Sequence, residues 1–261
     1  MNKRAIVALL SVLAVTACLS YAQEASESIE DVATVGQTGW RWCSKCEGMH
    51  FITNGLGPCP AGGTHDVAGS SLYKLINNDF TADGQHWWRY CKKCKGLFYG
   101  GHETQGVCPA GGAHDSSWSG DYCVIHNSTA APGQQNWRWC SRCEGLFYGG
   151  HASLGTCPAG GQHSLSGSGN YTLLFETKDA VVWGRVTDSS AAPVAKASVK
   201  IQGKAGTKTM KSATDGSYGF AGLKQGKYTF TASKKNVGDA KRTARLQSGD
   251  AKSVALVLKK K

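Results

Sequence analysis

Short runs of alternating apolar and polar residues follow one another along the chain, and no segment of useful length carries the spacing of an amphipathic helix. In Trp40-Arg41-Trp42 the two indoles fall on one face of an extended segment and the guanidinium on the other. Leu97-Phe98-Tyr99 and Leu146-Phe147-Tyr148, each leading into Gly-Gly-His, read as return strands running into a turn, and Met49-His50-Phe51 stands in the corresponding place earlier. From Ala180 onward the alternation is cleaner, as in Ala197-Ser198-Val199-Lys200-Ile201, with Asp215-Gly216 as a strong turn signal before Tyr218. The 34 glycines point the same way, because Gly costs about 1 kcal/mol in a helix interior. The expectation is an all-β protein.

The strands of the first part belong to a repeat. Trp40-Arg41-Trp42-Cys43-Ser44-Lys45-Cys46 is closed by Cys59-Pro60-Ala61-Gly62-Gly63-Thr64-His65, and the same text returns from Trp88 and from Trp137. The closing histidines are 49 residues apart each time. A fixed period makes each copy one structural unit. The units read as 37–78, 84–127 and 133–177, each a β-hairpin knuckle followed by one or two short strands. Tyr73, Tyr122 and Tyr171 close them.

Nine cysteines fall into three sets of three, each completed by a histidine. Three thiols cannot all pair within a unit, and Cys3His is a standard tetrahedral zinc set with Cys-x2-Cys as one arm. The predicted sites are Cys43, Cys46, Cys59 and His65; Cys91, Cys94, Cys108 and His114; and Cys140, Cys143, Cys157 and His163, holding three structural zinc ions. A four-ligand site leaves no position for water or substrate, so these ions hold the fold and do no chemistry. A unit of this size buries too little apolar surface to be stable unaided. The alternative is disulfides and no metal, and Cys123, which makes the count even, is its best argument. Cys123 is not part of the repeated design, since Lys74 and Thr172 stand in its place elsewhere, and it reads as a lone thiol on a strand.

Seven of the eight tryptophans lie in the repeats. The first of each copy is read as core. Trp87, Trp118, Tyr99 and Tyr148 are the candidates for ligand contact, because their positions vary between copies or flank a turn; His102 and His151 in the Gly-Gly-His turns are candidates too, with a structural role in the turn as their other reading. Three copies also permit a threefold trefoil. Gln85-His86-Trp87 and Gln135-Asn136-Trp137 resemble the Gln-x-Trp signature of ricin-type lectins, but Gln37-Thr38-Gly39-Trp40 breaks it. Independent stacked knuckles are the preferred arrangement.

The last part, 180–261, lacks cysteine and histidine, and its short strands at regular spacing argue for a β-sandwich. It resembles the carboxypeptidase regulatory-like domain. The carrying residues are Gly184-Arg185-Val186-Thr187-Asp188, Pro193-Val194, Ala197-Ser198-Val199, Thr214-Asp215-Gly216-Ser217-Tyr218-Gly219-Phe220, Leu223 and Gly226-Lys227-Tyr228. The resemblance implies a transthyretin-like seven-stranded sandwich and a non-catalytic accessory domain. It implies no catalytic residue.

Charge separates the two parts. From Lys178 onward there are 18 Lys+Arg against 5 Asp+Glu, a balance of +13, while the residues before it carry −2. The repeats have the wrong sign for nucleic acid. The lysine load reads equally as a solvated surface or as attachment to an anionic envelope polymer.

The N-terminus reads as an export signal over 1–22, with basic Lys3-Arg4, an apolar run from Ala5 to Leu19 and small residues at Ser20-Tyr21-Ala22. A lipid anchor at Cys18, within the lipobox-like Val15-Thr16-Ala17-Cys18, is the alternative. Residues 23–36 form an acidic linker. No other run is long enough for a transmembrane segment. The expected location is secreted, periplasmic or cell-surface. No His-Glu-x-x-His, Gly-x-Ser-x-Gly or phosphate loop is present. The expectation is a non-catalytic protein that engages an extracellular glycan or envelope ligand through repeated aromatic, Gly-rich modules, with an envelope structural or protein-interaction component as the alternative.

Overall fold

The computed structural model describes residues 36–260. The expected signal peptide, the lipid-anchor candidate Cys18 and all of the acidic linker but Gly36 lie outside them. The described residues form seventeen strands and no helix.

Each repeat supplies three strands. In the first, β1 (Gln37–Trp42) pairs antiparallel with β2 (Met49–Phe51) and, across an irregularity between Gln37 and Trp40, with β3 (Tyr73–Asn77). The second uses β4 (Gln85–Tyr90), β5 (Leu97–Tyr99) and β6 (Tyr122–His126) in the same way. The third uses β7 (Gln134–Trp139), β8 (Leu146–Tyr148) and β9 (Tyr171–Phe175). The closing strands then pair all round: β3 with β6, β6 with β9, and β9 with β3. The three units are therefore one body closed about a pseudo-threefold axis, and not the independent stacked knuckles expected from the sequence.

The physical reason is size. No unit can bury a core alone, but three can share one. Strand alternation turns Tyr73 and Leu75 inward, with their counterparts in β6 and β9, and they meet Trp40, Trp88 and Trp137, all fully buried. The indole Nε1–H groups donate to Gln37, Gln85 and Gln134 at 3.1–3.2 Å. Each glutamine oxygen also accepts a tyrosine hydroxyl from another unit: Gln37 from Tyr122 and Gln85 from Tyr171, both at 2.6 Å, and Gln134 from Tyr73. The repeated signal is thus Gln-x2-Trp, intact in all three copies. The Gln-x-Trp reading was one residue out of register, and for that reason the first copy looked broken.

The rest of the chain is the expected sandwich. One sheet has the order β13 (Ser217–Leu223), β10 (Ala180–Thr187), β16 (Ala251–Ser253), with β17 (Leu256–Val257) also parallel to β10. The other has the order β12 (Gly206–Lys211), β11 (Ser198–Gly203), β14 (Gly226–Lys234), β15 (Gly238–Leu246). The short β16 and β17 are two pieces of one interrupted strand, which gives the seven strands expected. The interruption lies beside Gly184, where a Cβ would meet the Val254 carbonyl at 2.0 Å. Tyr218, Phe230, Val199 and Leu246 are among the residues filling the space between the sheets.

The sandwich docks through its first sheet. Val181, Trp183 and Ala251 pack on Ile76, Cys123, Ile125 and Leu174, the faces of β3, β6 and β9 that turn away from the shared core. Trp183 Nε1 donates to the Asp83 carbonyl at 2.9 Å, and Arg185 pairs with the Asp83 carboxylate at 3.1 Å. Lys74, Cys123 and Thr172 occupy one position in the three units and are all buried at this junction. Lys74 Nζ donates to the Gly249 carbonyl, while the Cys123 thiol points at the Ala82 carbonyl. Cys123 is thus a buried, unpaired thiol, with its pKa pushed up by burial.

Candidate metal centres and aromatic surface

Each Cys-x2-Cys turn lies at the end of a long strand, and the Cys-Pro-Ala-Gly-Gly turn folds back over it. The side chain between the two cysteines ties the turns together: Lys45 Nζ donates to the Gly62 carbonyl at 2.6 Å, Lys93 Nζ to Gly111 at 2.7 Å, and Arg142 to Ala159 at 2.9 Å. All twelve predicted ligands come together in three buried sets, each with its four ligand atoms within 4.8 Å of one another. Cys43 and Cys59 Sγ are 4.0 Å apart, and the corresponding pairs in the other units 3.9 Å. His65, His114 and His163 each bring Nδ1 to 3.5 Å from the second cysteine of their set.

These distances suit a tetrahedral ion, since metal–sulfur bonds of about 2.3 Å set two sulfurs about 3.8 Å apart. They do not suit a disulfide, whose sulfurs lie at about 2.05 Å. The described cysteines are all unpaired. A backbone N–H donates to the first sulfur of each set, from Asp66 at 3.3 Å and from Asp115 and Ser164 at 3.4 Å, as a thiolate requires. Hydrogen bonding from Cys46 holds the Cys43 thiol well below its usual pKa, while the same contact pushes Cys46 up. The two other sets divide their protons in the same directions between Cys91 and Cys94 and between Cys140 and Cys143. A divalent cation would displace those shared protons.

The three centres gather about the axis, around a cavity of ≈ 40 Å³ lined by Met49, Leu97, Leu146 and the ligand histidines. Each centre leans on the next. Gly57, Gly106 and Gly155 all have positive φ, and a Cβ there would meet the carbonyl oxygen of Cys94, Cys143 or Cys46 at 2.3–2.4 Å. Glycine at these positions permits both the turn and the close approach.

The Gly-Gly-His turns prove to be clamps between units. His151 Nδ1 lies 3.0 Å from Glu47, and His102 Nδ1 lies 2.9 Å from Glu144. Each glutamate also accepts its own unit's indole, Trp42 or Trp139, at 2.7 Å. In the second unit Lys95 replaces the glutamate and Tyr90 the tryptophan, with the ammonium 5.9 Å from the ring centroid. The first unit, which faces Lys95, has no Gly-Gly-His turn. Sequence reasoning missed this pairing, although the joint change of Trp/Glu to Tyr/Lys between copies was its signal. Tyr99 and Tyr148 are half-buried, edge-on to Trp88 and Trp137 at 5.5 and 5.4 Å.

Trp87 and Trp118 stand apart from these. They are 59% and 91% exposed, and both have φ of 71°. The positions equivalent to Trp87 are Gly39 and Asn136, and those equivalent to Trp118 are Gly69 and Gly167, all with positive φ. A left-handed backbone costs a side-chain-bearing residue about 1–2 kcal/mol. The second unit thus carries indoles where its sisters carry residues suited to the conformation. Asp121 holds the backbone of the first, accepting the Trp87 main-chain N–H at 2.9 Å, together with Arg89 at 2.5 Å and His86 at 3.0 Å. Arg89 lies 5.3 Å from the Trp87 ring and Lys92 5.0 Å from that of Trp118. Phe80, 73% exposed and stacked with His86, adds a third ring that sequence reasoning did not single out.

Comparison with known proteins divides the chain at the same place as its composition. The carboxypeptidase regulatory-like domain family matches residues 181–259.

The C-terminal sandwich is a carboxypeptidase regulatory-like domain.

No curated protein matches the chain. Among solved structures the chain is similar to the dioxygenase domain of a dioxygenase–carbohydrate-binding protein fusion from the cellulolytic bacterium Streptomyces sp. SirexAA-E, at 10% identity and a TM-score of 0.26, over 33% of this chain and 82% of that one. It is also similar to a streptococcal ancillary pilin, at 8% identity and a TM-score of 0.28, over 74% of this chain and 52% of the pilin, about half its length. The carboxypeptidase regulatory-like domain contributes no residue to the metal centres. It seats the threefold body from the side of β3, β6 and β9.

Proposed function

We propose that the chain is an exported, non-catalytic binding protein whose threefold body, held by three zinc ions, displays an aromatic platform for an extracellular glycan. The carrying observation is the pair Trp87 and Trp118, exposed indoles on left-handed backbone where the sister units have glycine or asparagine. Strain of this kind persists where surrounding contacts over-determine it and clusters at ligand sites. Indole faces stack on the apolar faces of sugar rings, and Asp121 fixes the backbone that carries Trp87 through its N–H. Four ligands saturate each centre, so the metal's part is structural. Zinc is favoured over other ions by three thiolates and one imidazole in tetrahedral reach.

The platform belongs to one unit, so the repeated scaffold carries a single glycan site. Pull-down on a panel of neutral polysaccharides, with Trp87→Ala and Trp118→Ala beside the parent, tests it. Binding by the parent and its loss in both variants are expected. A fully folded parent that binds none of the panel, with protein adducts on cross-linking from intact cells, would instead favour the protein-interaction component.

A further inference from the structure

The sandwich docks through one sheet and leaves the other open. Its order β12-β11-β14-β15 and its registers place outward-facing side chains in straight rows across the four strands. One row reads Thr209, Lys200, Thr231, Lys241. The next reads Thr207, Gln202, Thr229, Thr243, with no charge in it. Beyond it Lys227 stands opposite Arg245. All of these are exposed or half-exposed, while Val199, Ile201, Tyr228 and Phe230 between them face the core. The sheet therefore presents a band of hydroxyl and amide groups flanked by cations on both sides. Successive rows lie about 7 Å apart along the strands, so the two cationic flanks are about 14 Å apart. Lys200 and Lys241, separated by one strand, are about 10 Å apart. The carboxylate of this face among the described residues, Asp239, lies at the far end, two residues beyond Lys241.

We infer that this face binds a linear acidic polysaccharide, the chain lying along the uncharged row with its hydroxyls on Thr207, Gln202, Thr229 and Thr243 and its carboxylates reaching the flanking cations. The inference is separate from the aromatic platform and uses none of its residues. Charge complementarity selects an anion, and the long hydroxyl row selects a sugar polymer. Duplex nucleic acid is the competing polyanion. It is disfavoured because phosphates alone would be served by the cations, leaving the threonine row without a purpose.

The test is titration of the full chain with polygalacturonate, beside dextran and duplex DNA, at physiological salt. Polygalacturonate is expected to bind and dextran not to bind at this face. Lys200→Glu/Lys241→Glu should weaken binding by about tenfold or more, and Thr229→Val/Thr243→Val, which changes no charge, by several-fold. Lys178→Glu/Lys208→Glu makes the same change of net charge off the face, since Lys208 alternates to the other side of β12, and should leave affinity within about twofold. Trp87→Ala should not alter it, so failure here and failure of the glycan platform read out separately. Equal weakening by the two charge-reversal pairs, no effect of the valine pair, or equal affinity for DNA would each overturn the inference.

Discussion

Tyr122 in the second unit donates its hydroxyl to Gln37 in the first at 2.6 Å, on the oxygen that also takes the Trp40 indole N–H at 3.2 Å. One amide thus satisfies two buried donors from different units, and the arrangement recurs around the axis. Gln37→Leu should orphan both donors and lower unfolding free energy by about 2–4 kcal/mol. Tyr122→Phe, which leaves the amide one partner, should lose about 1 kcal/mol. Urea unfolding of the two variants and their double measures this, and a double-mutant coupling near zero would contradict a shared acceptor.

Metal removal should act on one half of the molecule. Structural zinc contributes on the order of 10 kcal/mol per site at neutral pH. A strong chelator should unfold the threefold body while the strands of the sandwich persist, giving two steps by circular dichroism and loss of buried-indole fluorescence. Metal analysis of the parent should return three zinc ions per chain. Cys94→Ser should release more than one, because the turn at Gly57 rests on the Cys94 carbonyl. Release of one ion alone would mean that the centres are independent.

Alkaline pH should destabilise the same body. Burial raises Tyr73, Tyr122 and Tyr171 to about 12, against 10.0 in the unfolded chain. A raised tyrosine keeps its proton longer in the folded state, so its contribution is full below pH 10 and is lost as pH rises from 10 towards 12. Unfolding free energy should fall across that window, together with the appearance of tyrosinate absorbance. Tyr122→Phe should make the decline shallower.

Trp87 should exchange stability for binding. Trp87→Gly restores the residue that the first unit carries at the same φ sign, and should raise unfolding free energy by up to about 1 kcal/mol. The same variant should lose glycan binding. Thermal melts and the polysaccharide pull-down on one preparation check both, and a variant that binds as the parent does would remove Trp87 from the platform.

The sequence made the metal ligands legible because their spacing is local and repeats three times. The sandwich was legible for a similar reason, since alternation and Asp215-Gly216 act over a few residues. The closure of the units was not, because it rests on pairings such as Tyr73 with Phe175 and Ile76 with Cys123, far apart in the chain. His102 and His151 looked like displayed side chains, since nothing near them in sequence announces Glu144 and Glu47 as partners. The left-handed backbone at Trp87 and Trp118 was visible only indirectly, through glycine and asparagine at the matching positions of the sister units. Alignment of the copies on Gln-x2-Trp in place of Gln-x-Trp brings those positions into line.

The junction at Lys74, Cys123 and Thr172 has a geometric consequence. The sandwich sits across all three closing strands, a face that threefold symmetry alone would present in three equivalent rotations. Three different side chains at one repeated position act as a key, so the sandwich fits in one rotation of three. The symmetric half thereby acquires a direction, and the second unit's indoles keep one fixed bearing relative to the open sheet.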